Sequence, residues 1–272
     1  MKYLSSTFFF NLLTNIMKKV DLEIFRLKIP RLLKIKVFAD GADKSAILSR
    51  YQDPNIAGFT TNPTLMKKSG VTDYEQFARD VLSVVKEKPI SFEVFSDDID
   101  EMAMQALTIA SWANNVVVKI PIVNTRGQST ARIVERLSRA GCRLNVTAMT
   151  TFEHVQAVAP LLSAGTGGIV SVFAGRIADS GRDPIPVMRR CVEFLADYPN
   201  VELLWASPRE LLNLIQAEDA GVHIITLTED LLKKLPLLGG DLEQVALDTV
   251  KMFFNDAQAV GYQIKVKETV AG

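Results

Sequence analysis

A chain of 272 residues that is 48% hydrophobic and 23% charged can build one large core or two small ones, and is too apolar to be disordered. Its 31 basic and 31 acidic residues cancel, which argues against a general nucleic-acid or membrane surface and makes any anion binding local. Two distant cysteines, Cys142 and Cys191, exclude a disulfide framework and suit a reducing, cytoplasmic setting, while two histidines, His154 and His223, are too few and too separated for a zinc site.

Residues 1–33 read as an N-terminal extension, unordered or loosely docked. The apolar run Leu4 to Met17, with Phe8-Phe9-Phe10, is interrupted by Ser, Thr and Asn. No small-residue cleavage site follows it, so a signal peptide is disfavoured. It is too short and polar to span a membrane. Leu22 to Leu33 has roughly helical apolar spacing among basic residues, and a weak membrane- or partner-binding helix is the sharper alternative.

From Ile35 onward short apolar runs alternate with longer amphipathic ones. Val37 to Asp40 predicts a first strand and Lys44 to Gln52 a helix. Ile56 to Thr60 predicts a second strand, and Asp73 to Lys88 a helix capped by Thr72 or Asp73, with Glu75 placed for a capping box. Ile90 to Phe95, Val116 to Ile122, Arg143 to Ala148, Ile169 to Ala174, Val201 to Ala206 and His223 to Leu227 predict six further strands. The intervening helices are expected at Ile99–Asn114, Ser129–Ala140, Thr151–Ser163, Pro184–Asp197 and Glu210–Ala220. A short helix from Thr228 to Leu235 and a long one from Asp241 to Gly261 end the pattern. Asp97, Asp98, Asp100 and Glu101 are placed to cap and solvate the start of the third helix. Eight such units point to a single-domain α/β fold, a (β/α)8 TIM barrel over residues 34–265. No G-x-G-x-x-G turn follows the first strand, which weakens a dinucleotide-binding alternative.

The run Asn115 to Ile122 is the most informative. It is a buried-strand pattern with one lysine, Lys119, near its end. An ammonium among Val and Ile is costly unless paired or neutralised, and burial favours a neutral amine able to attack a carbonyl. The bland alternative is a lysine snorkelling into water. The other strand ends carry Asp40, Asn62, Glu93, Thr147, Ser171, Arg176, Ser207 and Arg209, where a TIM barrel keeps its chemistry. These types suit Schiff-base catalysis. Lys119 would bond a ketose carbon, and Asp40 would take a hydroxyl proton during carbon–carbon cleavage. Glu93 and Thr147 would hold a proton-shuttling water. Asn62 and Ser171 have the right length for substrate hydroxyls, and Arg176 and Arg209 offer planar forks to a phosphate. No metal and no cofactor are called for.

Six stretches then carry a resemblance: Phe38-Ala39-Asp40-Gly41-Ala42, Thr60-Thr61-Asn62-Pro63-Thr64, Val118-Lys119-Ile120-Pro121, Asn145-Val146-Thr147-Ala148, Ser171-Val172-Phe173-Ala174-Gly175-Arg176-Ile177 and Ala206-Ser207-Pro208-Arg209. From about Lys36 to Tyr262 the chain resembles the transaldolase family, including its small microbial members and the fructose-6-phosphate aldolases. The resemblance implies a class I aldolase-type barrel with Lys119 as the Schiff-base lysine, Asp40 as acid/base, and Glu93 with Thr147 at the catalytic water. It implies substrate binding by Asn62, Thr61, Ser171, Phe173 and Ser207, and by Arg176 and Arg209 at the phosphate end. Glu93 and Phe173 resemble transaldolases, whereas the aldolases usually have Gln and Tyr there. The implied activity moves a dihydroxyacetone unit from a ketose phosphate to an aldose phosphate, as in the pentose phosphate pathway.

Asn124-Thr125-Arg126-Gly127, Arg182 and Asp183 depart from the pattern and leave room for an unusual sugar phosphate. A fructose-6-phosphate aldolase that releases free dihydroxyacetone, and a non-catalytic sugar-phosphate barrel, stay open as alternatives. Sugar phosphates are the expected partners, with no nucleic acid and no membrane. The terminal helix carries a broad apolar stripe of Val245, Leu247, Val250, Phe253 and Phe254, which either covers its own barrel or reaches over a neighbour in a homo-oligomer. Cys142, Cys191 and Trp205 read as packing residues, and neither histidine is given a catalytic role.

Overall fold

Runs rich in Val, Ile and Leu with turn residues at each end become parallel strands when a helix follows every one of them. The computed structural model, which describes residues 33–265, shows eight: β1 (Lys36–Asp40), β2 (Ile56–Thr60), β3 (Ile90–Glu93), β4 (Val116–Pro121), β5 (Leu144–Met149), β6 (Gly168–Val172), β7 (Val201–Trp205) and β8 (Ile224–Thr228). Each pairs in parallel with the next, and β1 pairs also with β8, so the sheet closes on itself. The reading of residues 1–32 lies outside the described residues.

The helices are α1 (Lys44–Tyr51), α2 (Pro63–Lys68), α3 (Tyr74–Val84), α4 (Ile99–Ala110), α5 (Ala131–Arg139), α6 (Phe152–Ser163), α7 (Ala174–Asp179), α8 (Ile185–Leu195), α9 (Leu212–Asp219), α10 (Glu229–Leu232) and α11 (Leu242–Val260). Asp43, Asp73, Asp98 and Thr151 cap α1, α3, α4 and α6, each side chain accepting from the amide three residues on. At α3 the cap is Asp73, and Glu75 pairs with Arg79 instead of reaching back to Thr72. Of the four acids at the start of α4, Asp98 is the cap, Asp100 and Glu101 lie in the first turn, and Asp97 accepts from the Thr125 amide and hydroxyl. Two short helices, α2 and α7, fall where the sequence reads as strand exits. After β2 come Thr61 and the Asn62 cap before α2 starts at Pro63, and after β6 the apolar Phe173 alone precedes α7. β3 stops at Glu93 rather than Phe95, and α3 at Val84 rather than Lys88.

Leu33–Leu235 forms one compact unit, which contains the whole barrel. α11 belongs to a second unit; Asp241 caps it and left-handed Gly261 ends it. Inside the barrel Phe38, Val117, Ile169, Leu204, Ala206 and Ile224 form an apolar core layer more than one rung deep, with Ala57 and Phe173 packed against it. Gly58 makes room for Phe38, since a Cβ there would lie 2.6 Å from the ring. The layer works as a plug: it separates the open floor of the barrel from the polar side chains above it, which are reached from the C-terminal mouth. No helix among the described residues is long and apolar enough to cross a membrane.

Candidate active site

Alternation along β4 sends Val117 into the core layer, and Lys119, two residues on, follows it inward. Lys119 is only 5% exposed. Its Nζ lies 3.2 Å from Glu93 Oε2 and donates to the Thr61 carbonyl at 3.1 Å. The snorkelling alternative is therefore not the geometry seen. The cost of burying an ammonium is met by pairing it, with a carboxylate and a carbonyl oxygen around one nitrogen. Glu93, Lys119 and Asn145 are register partners on β3, β4 and β5, so one rung of the barrel carries an acid, an amine and an amide side by side.

Two polar chains flank this rung. On one side the Thr60 hydroxyl donates to Asp40 Oδ1 at 2.8 Å and lies 2.5 Å from the Thr226 hydroxyl, linking β1, β2 and β8. Burial pushes the Asp40 carboxyl above its ordinary range, against the opposing pull of Lys119 and the Thr60 bond. On the other side Ser171 donates to Asn145 Oδ1 at 2.6 Å, and Asn145 Nδ2 donates to Ser91 Oγ at 3.1 Å. All three are buried. Thr147 is buried too, with its hydroxyl uncommitted among the described residues. The next residue, Ala148, has a φ of 60°, and β5–β6 pairing slips there. A non-glycine residue in the left-handed region stores strain, and here it bends β5 just beyond Thr147.

The remaining expected residues sit at the rim. Asn62 Oδ1 caps α2 by accepting from the Leu65 amide at 3.0 Å, so its amide nitrogen is the part left to a ligand. The Thr61 side chain is fully buried and donates to the Ser91 carbonyl, leaving its own carbonyl for Lys119. Phe173 precedes α7 and is half-buried against the core layer. Ser207, with a φ of 58°, turns the chain after β7 so that its carbonyl faces Gly175; a Cβ on Gly175 would lie 1.6 Å from it. That contact brings the Arg176 turn and the Ser207–Arg209 turn to one edge of the mouth. Both arginines are exposed. Arg209 is held by Asp179, through Nε to Oδ1 at 3.0 Å and Nη2 to Oδ2.

Sequence reasoning did not single out Thr60, Ser91, Asn145 or Thr226. They are small polar residues inside apolar runs, and only the closed ring shows that they point inward. The interior parity was available: Ser91 precedes Glu93 by two, and Asn145 precedes Thr147 by two.

Residues 37–270 match the family model described as Transaldolase/Fructose-6-phosphate aldolase. A "Probable transaldolase" of Dehalococcoides mccartyi is 32% identical over 202 residues, 74% of this chain and 90% of that protein. A "Probable transaldolase 1" of Bacillus cereus is 35% identical over 222 residues, 80% of this chain and 98% of that protein. Among solved structures, one put forward as a dihydrodipicolinate synthase family protein from Coccidioides immitis superposes with a TM-score of 0.51 at 10% identity, covering 72% of this chain and 68% of its own; this likeness concerns the fold alone. The chain belongs to the transaldolase/fructose-6-phosphate aldolase family.

Proposed function

We propose that the protein is a transaldolase acting on sugar phosphates through a Schiff base at Lys119. The observation that carries this is a buried lysine nitrogen, 3.2 Å from a carboxylate, on the inner face of a closed barrel. Glu93 takes the ammonium proton, and the free amine attacks the ketose carbonyl carbon to give a carbinolamine. Loss of water, with Glu93 and Thr147 handling the proton and the leaving oxygen, gives the iminium. Asp40 then accepts the proton of the hydroxyl β to that carbon. The carbon–carbon bond breaks, its electron pair flows into the iminium as an enamine, and the aldose leaves. The enamine carbon attacks the aldehyde carbon of an acceptor, Asp40 returns its proton, and hydrolysis frees the lysine. Asp40 suits a base that works both ways, because burial holds its proton more firmly than an open carboxyl would.

Asn62 and the Ser171–Asn145 pair supply hydrogen bonds to substrate hydroxyls, and Arg176 and Arg209 meet the phosphate at the rim. The direct test is borohydride reduction in the presence of a ketose phosphate, followed by peptide mass mapping. An adduct on Lys119 is expected, and an adduct elsewhere rejects the assignment. The family covers an aldolase as well, so the second measurement is donor turnover with and without an aldose phosphate. Strong acceptor dependence supports transfer, and equal release of free dihydroxyacetone supports the lyase. We assign a homo-oligomer on the apolar stripe of α11, tested by light scattering, and a reducing cytoplasmic setting on two free, buried cysteines.

A further inference from the structure

Main-chain groups of a strand residue point to one neighbour, and those of the next residue to the other. Along β3 the edge facing β2 presents Ser91, whose carbonyl accepts from the Thr61 amide at 3.2 Å. Two residues on, Glu93 presents its N–H and C=O to the same side. β2 ends at Thr60, and by Asn62 the chain has turned to start α2, so no strand residue is there to meet them. A side chain meets them instead. The Glu93 amide donates to Tyr74 Oη at 2.8 Å, and the same phenol donates to the Glu93 carbonyl at 3.0 Å.

Tyr74 is well placed to hold that position. It is the first residue of α3, immediately after the Asp73 cap. Its ring packs at 4.4 Å on Phe95, 5.8 Å on Trp112 and 6.0 Å on Phe92, edge-on or tilted in each case. Such contacts fix a ring more tightly than an aliphatic side chain would be fixed. Burial also drives its hydroxyl far above the ordinary phenol range, so it keeps its proton and remains both donor and acceptor.

We propose that Tyr74 is a positioning residue for the reaction, replacing the missing β2 neighbour so that the Glu93 carboxylate is held against Lys119 Nζ. Tyr74 does not touch the reacting atoms; it acts through Glu93. The inference rests on the proposed role of Glu93 and goes one residue beyond it. A carboxylate displaced by about an ångström loses proton transfer much more than it loses substrate, since the proposed substrate contacts, Asn62, Ser171 and the two arginines, do not run through it.

The experiment compares kcat, KM and melting temperature of the full-length protein, Tyr74→Phe, Glu93→Gln, the double variant and Trp112→Phe, with ketose phosphate donor and aldose phosphate acceptor. Tyr74→Phe is expected to lower kcat about 10- to 100-fold with KM within about threefold. The phenol also neighbours the Thr61 hydroxyl, so the double variant is the discriminating one: it should be no slower than Glu93→Gln by more than about threefold when the phenol acts through that carboxylate. Trp112→Phe keeps an aromatic ring beside Tyr74 and should keep kcat within about twofold; a loss as large as that of Tyr74→Phe at near-native melting temperature would overturn the proposal. Phe95→Leu retains the hydroxyl while loosening its ring, and gives the same comparison should Tyr74→Phe not fold: a fall in kcat at near-native melting temperature supports the proposal, and an unchanged kcat overturns it. Native kcat in Tyr74→Phe with an impaired Glu93→Gln overturns the positioning role alone. A Tyr74→Phe penalty undiminished in the Glu93→Gln background does the same. Native kcat in Glu93→Gln removes the proposed role of Glu93 and this inference with it.

Discussion

The barrel carries a lysine–glutamate pair at each end. At the mouth Lys119 and Glu93 are 3.2 Å apart, their side chains 7% and 15% exposed. At the floor Lys36 and Glu202 are 2.7 Å apart, their side chains 53% and 35% exposed, beside a cavity of about 400 Å³ also lined by Arg143 and Gly168. The closer pair is the less consequential one. Water screens the floor pair, and pairs of that kind contribute between nothing and about 1 kcal/mol. The mouth pair lies above the apolar plug of Phe38, Val117 and Ile169, where each charge depends on the other. Burial, and not distance, separates a solvated contact from a group that can do carbonyl chemistry.

The largest expected difference between the ends is in turnover. Lys119→Met should cut donor cleavage at least about 1000-fold and abolish the borohydride adduct, since no other group takes over a covalent nucleophile. Lys36→Met should stay within about twofold of native turnover. Equal losses at both ends would dismiss the claim that the mouth alone is chemical.

Next comes Asp40. Asp40→Asn should lower kcat about 100-fold or more by removing the base. Under the proposed mechanism Asp40 must be ionised to act, and burial raises its pKa. The acid limb of the activity profile should therefore lie above the ordinary aspartate value of 3.8. The stability sign follows from the same shift. The folded state holds this proton more tightly than the unfolded chain, so Asp40 makes the protein less stable as pH rises from 3.8 through its folded value. Asp40→Asn should flatten that part of the stability–pH curve, measurable by urea denaturation across the acid range. Glu202→Gln, at the floor, should leave both profiles in place.

Stability distinguishes the two pairs in a third way. Glu93→Ala leaves a buried ammonium with a single carbonyl acceptor and should cost about 3 kcal/mol. Glu202→Ala leaves an ammonium in water and should cost less than about 1 kcal/mol. Urea midpoints at constant slope would show the gap, and similar costs would mean that the mouth is wetter than its geometry implies.

The same contrast explains what the chain discloses before it is folded. Eight βα units are visible because burial on both faces of a strand demands unbroken Val-Ile-Leu runs, and a lysine inside such a run stands out. Lys119, Asp40 and Glu93 are conspicuous for that reason. Thr60, Ser91, Asn145 and Thr226 are not: a small hydroxyl or amide in a strand breaks no rule, and its role depends on which neighbour the ring places beside it. Tyr74 is hidden more deeply, since an aromatic at a helix start reads as packing. The α2 and α7 helices are missed for different reasons: α2 is only six residues long although Asn62 and Pro63 mark its start, and α7 begins in Phe173-Ala174, which continue the apolar run of β6.

The smallest expected effect is at the rim, where Asp179 holds Arg209 in a two-point pair with both side chains nearly half exposed. A carboxylate already on the guanidinium competes with an incoming phosphate for the same fork. Asp179→Asn should therefore lower KM for a phosphorylated donor about two- to fivefold and leave KM for an unphosphorylated one unchanged, the modest size following from solvent screening. The gain should shrink in high salt. If KM rises instead, Asp179 aims Arg209 more than it neutralises it, and the rim works by geometry, like the rung below it where Tyr74 and Thr61 hold their partners in place.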